Sequence, residues 1–150
     1  RNRQNLYPAP LSDDRWSGMI KILCIAAGGA AGALARYAVG GKVQGWSSST
    51  FPWGTMAVNL SGCLLIGLLA GLFERAATLP EVRALVLIGF LGAYTTFSTF
   101  SLESMNLLRD REYGWLAVNV LVSNVGGLAL AAAGLMLARG LAGLLARGGT

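Results

Sequence analysis

The stretch "VRALVLIGFLGAYTTFSTFSLESMNLL", residues 82–108, decides the fold, because its hydropathy favours one membrane-spanning helix while its centre argues against an unbroken one. Residues 92–101 hold five Ser and Thr hydroxyls together with Gly92. Gly costs a helix interior about 1 kcal/mol, and β-branched Thr loses rotamer freedom there. Unpaired backbone is tolerated at membrane depth only inside protein or beside a watered cavity. We therefore expect a helix broken in mid-membrane, the alternative being a continuous helix bent by hydroxyls that bond the preceding turn.

The rest of the chain is also strongly apolar. Of its 150 residues 54% are hydrophobic and 13% charged, and the mean hydropathy is +0.56, whereas soluble domains carry about 25% charged residues. Residues 51–73, 84–102 and 113–138 contain no charge, and 22–41 contain only Arg36. A helical span needs about 20 apolar residues. The sequence thus predicts an all-α, multi-pass protein of the cell membrane with four transmembrane helices, at 19–41, 53–73, 82–108 and 115–138.

Short loops between the spans leave no room for a second domain. We predict a four-helix transmembrane domain over residues 19–138, a flexible N-terminal tail at 1–18 and a C-terminal tail at 139–150. Four spans make a thin bundle that encloses little space. Any pore or pocket is therefore expected to need a partner chain, which favours a homodimer.

Glycines recur at four-residue spacing in two of the spans. Gly28 and Gly32 form one GxxxG pattern, and Gly67 and Gly71 form another. Such spacing lets helix backbones approach closely in lipid. It predicts tight helix contacts without indicating whether the neighbour belongs to the same chain.

Charge and composition exclude several classes of function. The cationic residues behind the net charge of +5 cluster at span ends, which is typical of topology and lipid headgroup anchoring rather than nucleic-acid binding. The chain has no His, the commonest general base, so we predict that it is not an enzyme. No Asp or Glu lies in the middle of a predicted span, which argues against proton-coupled transport.

Polar and aromatic residues inside the spans suggest a path for a small anion. Phe97 and Phe100 are three residues apart and share a helix face, and the positive edge of an aromatic ring can face an anion. Asn59, Ser123 and Asn124 also lie within spans, where polar side chains are costly. Amide, hydroxyl and ring-edge donors can replace the water of a small anion without trapping it. Helix packing and lipid-facing Phe are the structural alternative.

Three motifs give the chain a recognisable pattern: "GGAAGALARY" in the first span, "GTMAVNLSGCLLIG" in the second and "GFLGAYTTFSTFS" in the third. With the four-span layout, which covers residues 20–138, they resemble the Fluc (CrcB) family of fluoride ion channels. The TTFSTF string is the most specific of these features. The resemblance implies an antiparallel, dual-topology homodimer with two pathways, which exports fluoride passively from the cytoplasm and lowers its toxicity there.

The resemblance also implies roles for single residues. A structural sodium ion (Na+) is expected at the dimer centre, on the backbone carbonyls of Gly92 and Thr95. The vestibule is expected to involve Arg36 and Glu103. The implied fluoride pathway consists of Asn59, Phe97, Ser98, Thr99, Phe100 and Ser123. The chain departs from the family pattern at Ala93, where many members have Gly, and at Gly127, where some have a hydroxyl.

Charge at the span ends fits dual topology only in part. Eight cationic residues fall on one side of the predicted membrane and three on the other, with Arg36 near the second side. The eight are Arg1, Arg3, Arg15, Lys21, Arg75, Arg83, Arg139 and Arg147, and the three are Lys42, Arg109 and Arg111. The full count predicts cytoplasmic termini. Without Arg1, Arg3 and Arg15 the two sides are nearly balanced.

Two other functions remain open from the residues. A small four-helix drug/proton antiporter would have a similar size, but it should carry a Glu deep in its first span, and residues 22–37 contain none. A non-transporting membrane scaffold would use the polar residues only for packing. Replacing Phe97 and Phe100 would then leave fluoride resistance unchanged.

Overall fold

The computed structural model of the protein describes residues 15–74 and 78–147, and within these ranges it contains helices and loops but no strand. Helix α1 is Arg15–Gln44, α2 is Trp53–Phe73 and α4 is Phe97–Arg109. Helix α3 covers 80–94, with a π-helical stretch Ala84–Leu91 between Pro80–Arg83 and Gly92–Tyr94. Helix α5 covers 113–147, with a π-helical stretch Val122–Gly126 between Tyr113–Leu121 and Gly127–Arg147.

Four segments of these helices are long and apolar enough to cross a membrane: Ser17–Gln44, Trp53–Phe73, Pro80–Arg109 and Tyr113–Gly143. Each contains one of the four spans predicted from hydropathy. The all-helical architecture with four long apolar segments is therefore confirmed. Positions 1–14 of the predicted N-terminal tail lie outside the described residues, as do 75–77 and 148–150. Residues 139–147 of the predicted C-terminal tail continue α5.

The helix of the third apolar segment is interrupted at two threonines. Thr95 (φ −84°, ψ 158°) and Thr96 (φ −149°, ψ 117°) have extended backbone, so α3 ends at Tyr94 and α4 begins at Phe97. Both the backbone N–H and the hydroxyl of Thr95 donate to the Leu91 carbonyl, each at 3.1 Å. These two bonds complete the last turn of α3, after which the helix does not continue.

Two helix pairs provide most of the packing, α2 with the second half of α5 and α1 with α3. A side chain at Gly67 would collide with the Ala131 carbonyl, and one at Gly32 would collide with the Phe90 carbonyl. Both GxxxG patterns thus serve contacts within this chain. Elsewhere the bundle is thin, with a small buried core around Val58 and Leu91, and much of the surface of α1 and α5 faces outward.

Candidate functional site

A cavity of about 320 Å³ lies where α2, the end of α3, the start of α4 and the π-helical part of α5 meet. Its lining residues are Asn59, Gly62, Cys63, Ile66, Leu87, Leu91, Gly92, Thr95, Thr96, Phe97, Phe100, Ser123 and Asn124. The set is mostly apolar, with a few amides and hydroxyls. That composition is typical of ligand sites in proteins.

Asn59 holds the extended turn against α2 through two hydrogen bonds. Its side-chain Oδ1 accepts the Thr96 backbone N–H at 2.8 Å, and its Nδ2 donates to the Thr96 carbonyl at 3.0 Å. A primary amide has two N–H donors, so one of them is left over for another acceptor. Gly62, one turn further along α2, makes room for the turn, because a side chain there would collide with the Thr95 methyl group.

Thr96 is buried, with 8% of its surface exposed, and it caps the start of α4. Its Oγ1 accepts the Thr99 backbone N–H at 3.2 Å and donates to the Thr99 hydroxyl at 3.0 Å. The Ser98 hydroxyl lies 3.3 Å from the same oxygen. The first turn of α4 is thus fixed by a residue that the sequence analysis did not select.

The turn diverts two helical hydrogen bonds from their usual acceptors. In an unbroken helix the N–H of residue i+4 donates to the carbonyl of residue i, so Thr96 would pair with Gly92 and Thr99 with Thr95. Here the Thr96 N–H donates to Asn59 and the Thr99 N–H donates to the Thr96 hydroxyl. The Gly92 and Thr95 carbonyls therefore lose their helical donors, and both residues line the cavity.

The two phenylalanines of the predicted pathway lie together at the cavity. Their ring centroids are 5.5 Å apart, with the ring planes tilted by 42°. Phe100 is buried at 8% exposure, whereas Phe97 is 76% exposed. Phe97 therefore presents most of its ring to whatever lies outside this chain.

On α5 a hydrogen-bonded chain runs behind Phe100. The Ser123 hydroxyl donates to Asn119 Oδ1 at 3.5 Å, Asn119 Nδ2 donates to Ser104 Oγ at 3.0 Å, and the Ser104 hydroxyl donates to the Phe100 carbonyl at 2.8 Å. Asn119 is only 1% exposed. The sequence analysis missed it, although it is an amide in a charge-free stretch, the same signal that selected Asn59.

The remaining predicted residues are not among those that line the cavity. Ser98 and Thr99 are exposed on the first turn of α4, and Arg36 is half-buried on α1. Glu103 lies on α4, where its Oε1 accepts the Thr55 hydroxyl at 2.8 Å. Its Oε2 is buried without a hydrogen-bond partner in the described part of the chain. The structure thus gathers Asn59, Phe97, Phe100, Ser123, Gly92 and Thr95 at one place and leaves the predicted vestibule residues elsewhere.

Backbone carbonyls are the groups in this site that suit a hard cation. No group of three or more His, Cys, Asp or Glu suited to a metal ion occurs among residues 15–74 and 78–147. Sodium does not need such a group, because backbone carbonyl oxygens commonly bind it where helices are broken in membrane proteins. The carbonyls of Gly92 and Thr95 fit that chemistry, since the turn removes their helical donors.

Comparison with known proteins identifies the family. The family model described as "CrcB-like protein, Camphor Resistance (CrcB)" matches residues 23–135. A Maridesulfovibrio salexigens protein named fluoride-specific ion channel FluC is 48% identical over 122 residues, which cover 81% of this chain and 97% of that protein. A protein of the same name from Desulforapulum autotrophicum is 48% identical over 120 residues, covering 79% and 96%. One from Salinibacter ruber is 50% identical over 117 residues, covering 77% and 87%.

The family-model match includes most of each of the four apolar helical segments. Together with those segments, the matches identify a multi-pass bacterial membrane protein. Because the family model covers most of the chain and the relatives are close to half identical along nearly their whole length, this chain belongs to the CrcB family.

Proposed function

We propose that this protein is a fluoride-selective channel that lets fluoride leave the cytoplasm passively, and that it catalyses no reaction. The observation that carries the proposal is the cavity in which Asn59, Ser123 and the Phe97–Phe100 pair come together. The relatives named fluoride-specific ion channel FluC support the choice of ion.

The proposed path requires fluoride to exchange water for protein donors. The free N–H of Asn59 is on the cavity wall, and the exposed hydroxyl of Thr99 adds a second donor on α4. Ser123 and Ser98 flank the path with their hydroxyls bonded to Asn119 and Thr96. The edges of Phe97 and Phe100 complete the path. The described residues that line the cavity include no Lys or Arg, which suits conduction because an ion must leave as readily as it enters.

Sodium is proposed as a structural ion held by the carbonyls of Gly92 and Thr95. When bound, it supplies a fixed positive charge to the carbonyl oxygens of a helix break that we place in mid-membrane. The Asn59 amide and the Thr96 hydroxyl accept the two N–H groups that would donate to those carbonyls in an unbroken helix. The carbonyls therefore remain available to the ion. We propose no coupling of fluoride movement to sodium movement.

An antiparallel homodimer with two pathways is the assembly that we propose. Phe97 is 76% exposed although it lines the cavity, so one chain leaves the cavity wall open at that ring. Two carbonyls also satisfy a sodium ion only in part. A second copy, related by a two-fold axis, would contribute another pair.

Fluoride efflux from liposomes tests this function. Purified protein is reconstituted, fluoride release is followed with an electrode, and chloride release is measured beside it. We expect fast fluoride release with little chloride release. Absence of fluoride release from protein that elutes as a homogeneous species would overturn the channel proposal and favour a scaffold.

Replacement of the two rings separates a pathway role from packing. The variant with Phe97→Ile and Phe100→Ile is expected to release fluoride at least about tenfold more slowly, because the aliphatic side chain lacks the positive ring edge. Phe73→Ile, at the end of α2 and away from the cavity, is the matched control. Equal rates for the double variant and the control would contradict the pathway role of the rings.

A further inference from the structure

The hydroxyl of Thr96 has a hydrogen-bond arrangement that uses its full capacity. A Thr hydroxyl has one donor hydrogen and two acceptor lone pairs. The hydrogen is donated to Thr99 Oγ1 at 3.0 Å, and one lone pair accepts the Thr99 backbone N–H at 3.2 Å. The Ser98 hydroxyl at 3.3 Å must then be the donor in its contact, and it takes the second lone pair.

This saturation excludes Thr96 as a direct ligand of an anion. An anion needs a donor, and the only side-chain donor of Thr96 is already directed to Thr99. Asn59 also fixes the backbone of Thr96, because the N–H and the carbonyl of Thr96 both bond to the Asn59 amide. With 8% of its surface exposed, it is the most deeply buried residue of the 95–99 segment.

The same bonds determine where the Thr99 hydrogen points. Thr99 Oγ1 accepts from Thr96, so its own hydrogen has to be directed away from Thr96. Thr99 is exposed, so that hydrogen is free to be directed to the solvent-accessible side of α4. A hydroxyl that accepts a hydrogen bond is also a stronger donor, because successive hydrogen bonds polarise one another.

We propose that Thr96 is a positioning residue that orients and polarises the Thr99 hydroxyl, so that Thr99 presents its hydrogen to the permeating anion. The inference rests on the proposed fluoride channel and deepens it. Thr96 thus affects the anion only through Thr99. Ser98, which donates to Thr96, is thereby left with its lone pairs rather than its hydrogen on the open side.

A double-mutant cycle between the two threonines tests the proposal in the liposome efflux assay. We expect Thr96→Val and Thr99→Val each to lower fluoride release roughly tenfold, the effect of one lost hydrogen bond. Because Thr96 acts through Thr99, the double variant should release fluoride no more slowly than Thr99→Val alone. Thr96→Ser keeps the hydroxyl and should restore release to within about twofold of the parent chain. Ser101→Ala, which removes a hydroxyl on α4 that bonds the Phe97 carbonyl, is the control.

The proposal would be overturned if the double variant released fluoride more slowly by the product of the two single effects, because the two threonines would then act independently. Slow fluoride release by Thr96→Ser would also overturn it. If Thr96→Val does not yield folded protein, the cycle is run with Thr96→Ala. Failure of both to fold, while Thr96→Ser folds, would show that the hydroxyl serves the start of α4 rather than the anion, and would also overturn it. Failure of the parent chain to release fluoride would instead reject the channel function itself.

Discussion

At the scale of single residues, the site depends on side chains that bond to backbone. The Asn59 amide bonds both the N–H and the carbonyl of Thr96. The sequence analysis selected Asn59 as a polar residue in a span and, through the family resemblance, as part of the fluoride pathway, but not as a partner of Thr96. Hydropathy places a residue on a helix but does not tell which distant peptide group its side chain will meet. Thr96 and Asn119 were missed for the same reason, since their importance lies in their bonds rather than in their residue types.

Replacement of Asn59 by Asp is expected to reduce fluoride release at least tenfold. The carboxylate can still accept the Thr96 N–H, but it has no hydrogen for the Thr96 carbonyl, and a buried acceptor facing another acceptor costs ~1–3 kcal/mol. Its negative charge also repels the anion. Asn106→Asp, on the exposed side of α4, is the control in the liposome assay. An Asn59→Asp rate equal to that of Asn106→Asp would contradict the role given to the amide.

At the scale of the elements, composition predicted which segment would be irregular but not how. Gly and Thr weaken a helix wherever they occur, so residues 92–101 could be identified from sequence. The extended backbone falls at Thr95 and Thr96 because Asn59 bonds the Thr96 N–H and Gly62 leaves space for the Thr95 methyl group. The π-helical stretches in α3 and α5 were not predicted, because a charge-free apolar run of residues does not distinguish α-helical from π-helical hydrogen bonding. The GxxxG spacing predicted close contacts but not their partners.

The contact between α2 and α5 should be sensitive to a single methyl group. Gly67→Ala would place a Cβ against the Ala131 carbonyl, and overpacking of this kind typically costs ~1–3 kcal/mol. We expect a lower thermal midpoint in detergent than for the parent chain. Gly41→Ala, where a Cβ meets nothing within 4 Å, should leave the midpoint unchanged. Equal midpoints for the two variants would show that α2 and α5 can move apart without loss of thermal stability.

At the scale of the whole molecule, the chain forms a thin bundle. Few of the described residues are fully buried, and large apolar side chains such as Leu34 and Phe97 remain exposed. The sequence predicted this thinness, because four spans with short loops cannot enclose much volume. It could not place the cavity, whose walls come from helices that are distant in the sequence. The cavity wall that contains Phe97 is where we propose that the second copy completes the structure.

Removal of sodium should weaken the proposed dimer, while fluoride should still move down its own gradient. With choline in place of sodium on both sides of the membrane, we expect a smaller dimer fraction and slower fluoride release, because the cation that we propose at the carbonyls of Gly92 and Thr95 would be lost. A sodium gradient imposed in either direction should leave the initial rate unchanged. The dimer fraction is measured by crosslinking in the same liposomes. A rate that follows the gradient would falsify passive permeation.

The two carbonyls that lose their helical donors at the turn also bear on how the protein is made. A newly inserted chain would carry these acceptors, together with the exposed Phe97, on a face turned toward lipid. Hydrocarbon cannot satisfy a carbonyl, so in the proposed assembly a single chain would keep water at these carbonyls until a second copy arrived. Pairing would then release that water and replace it with the proposed sodium ion. Such an exchange would favour the pair over the lone subunit during biogenesis, because the lone subunit would stay hydrated at membrane depth.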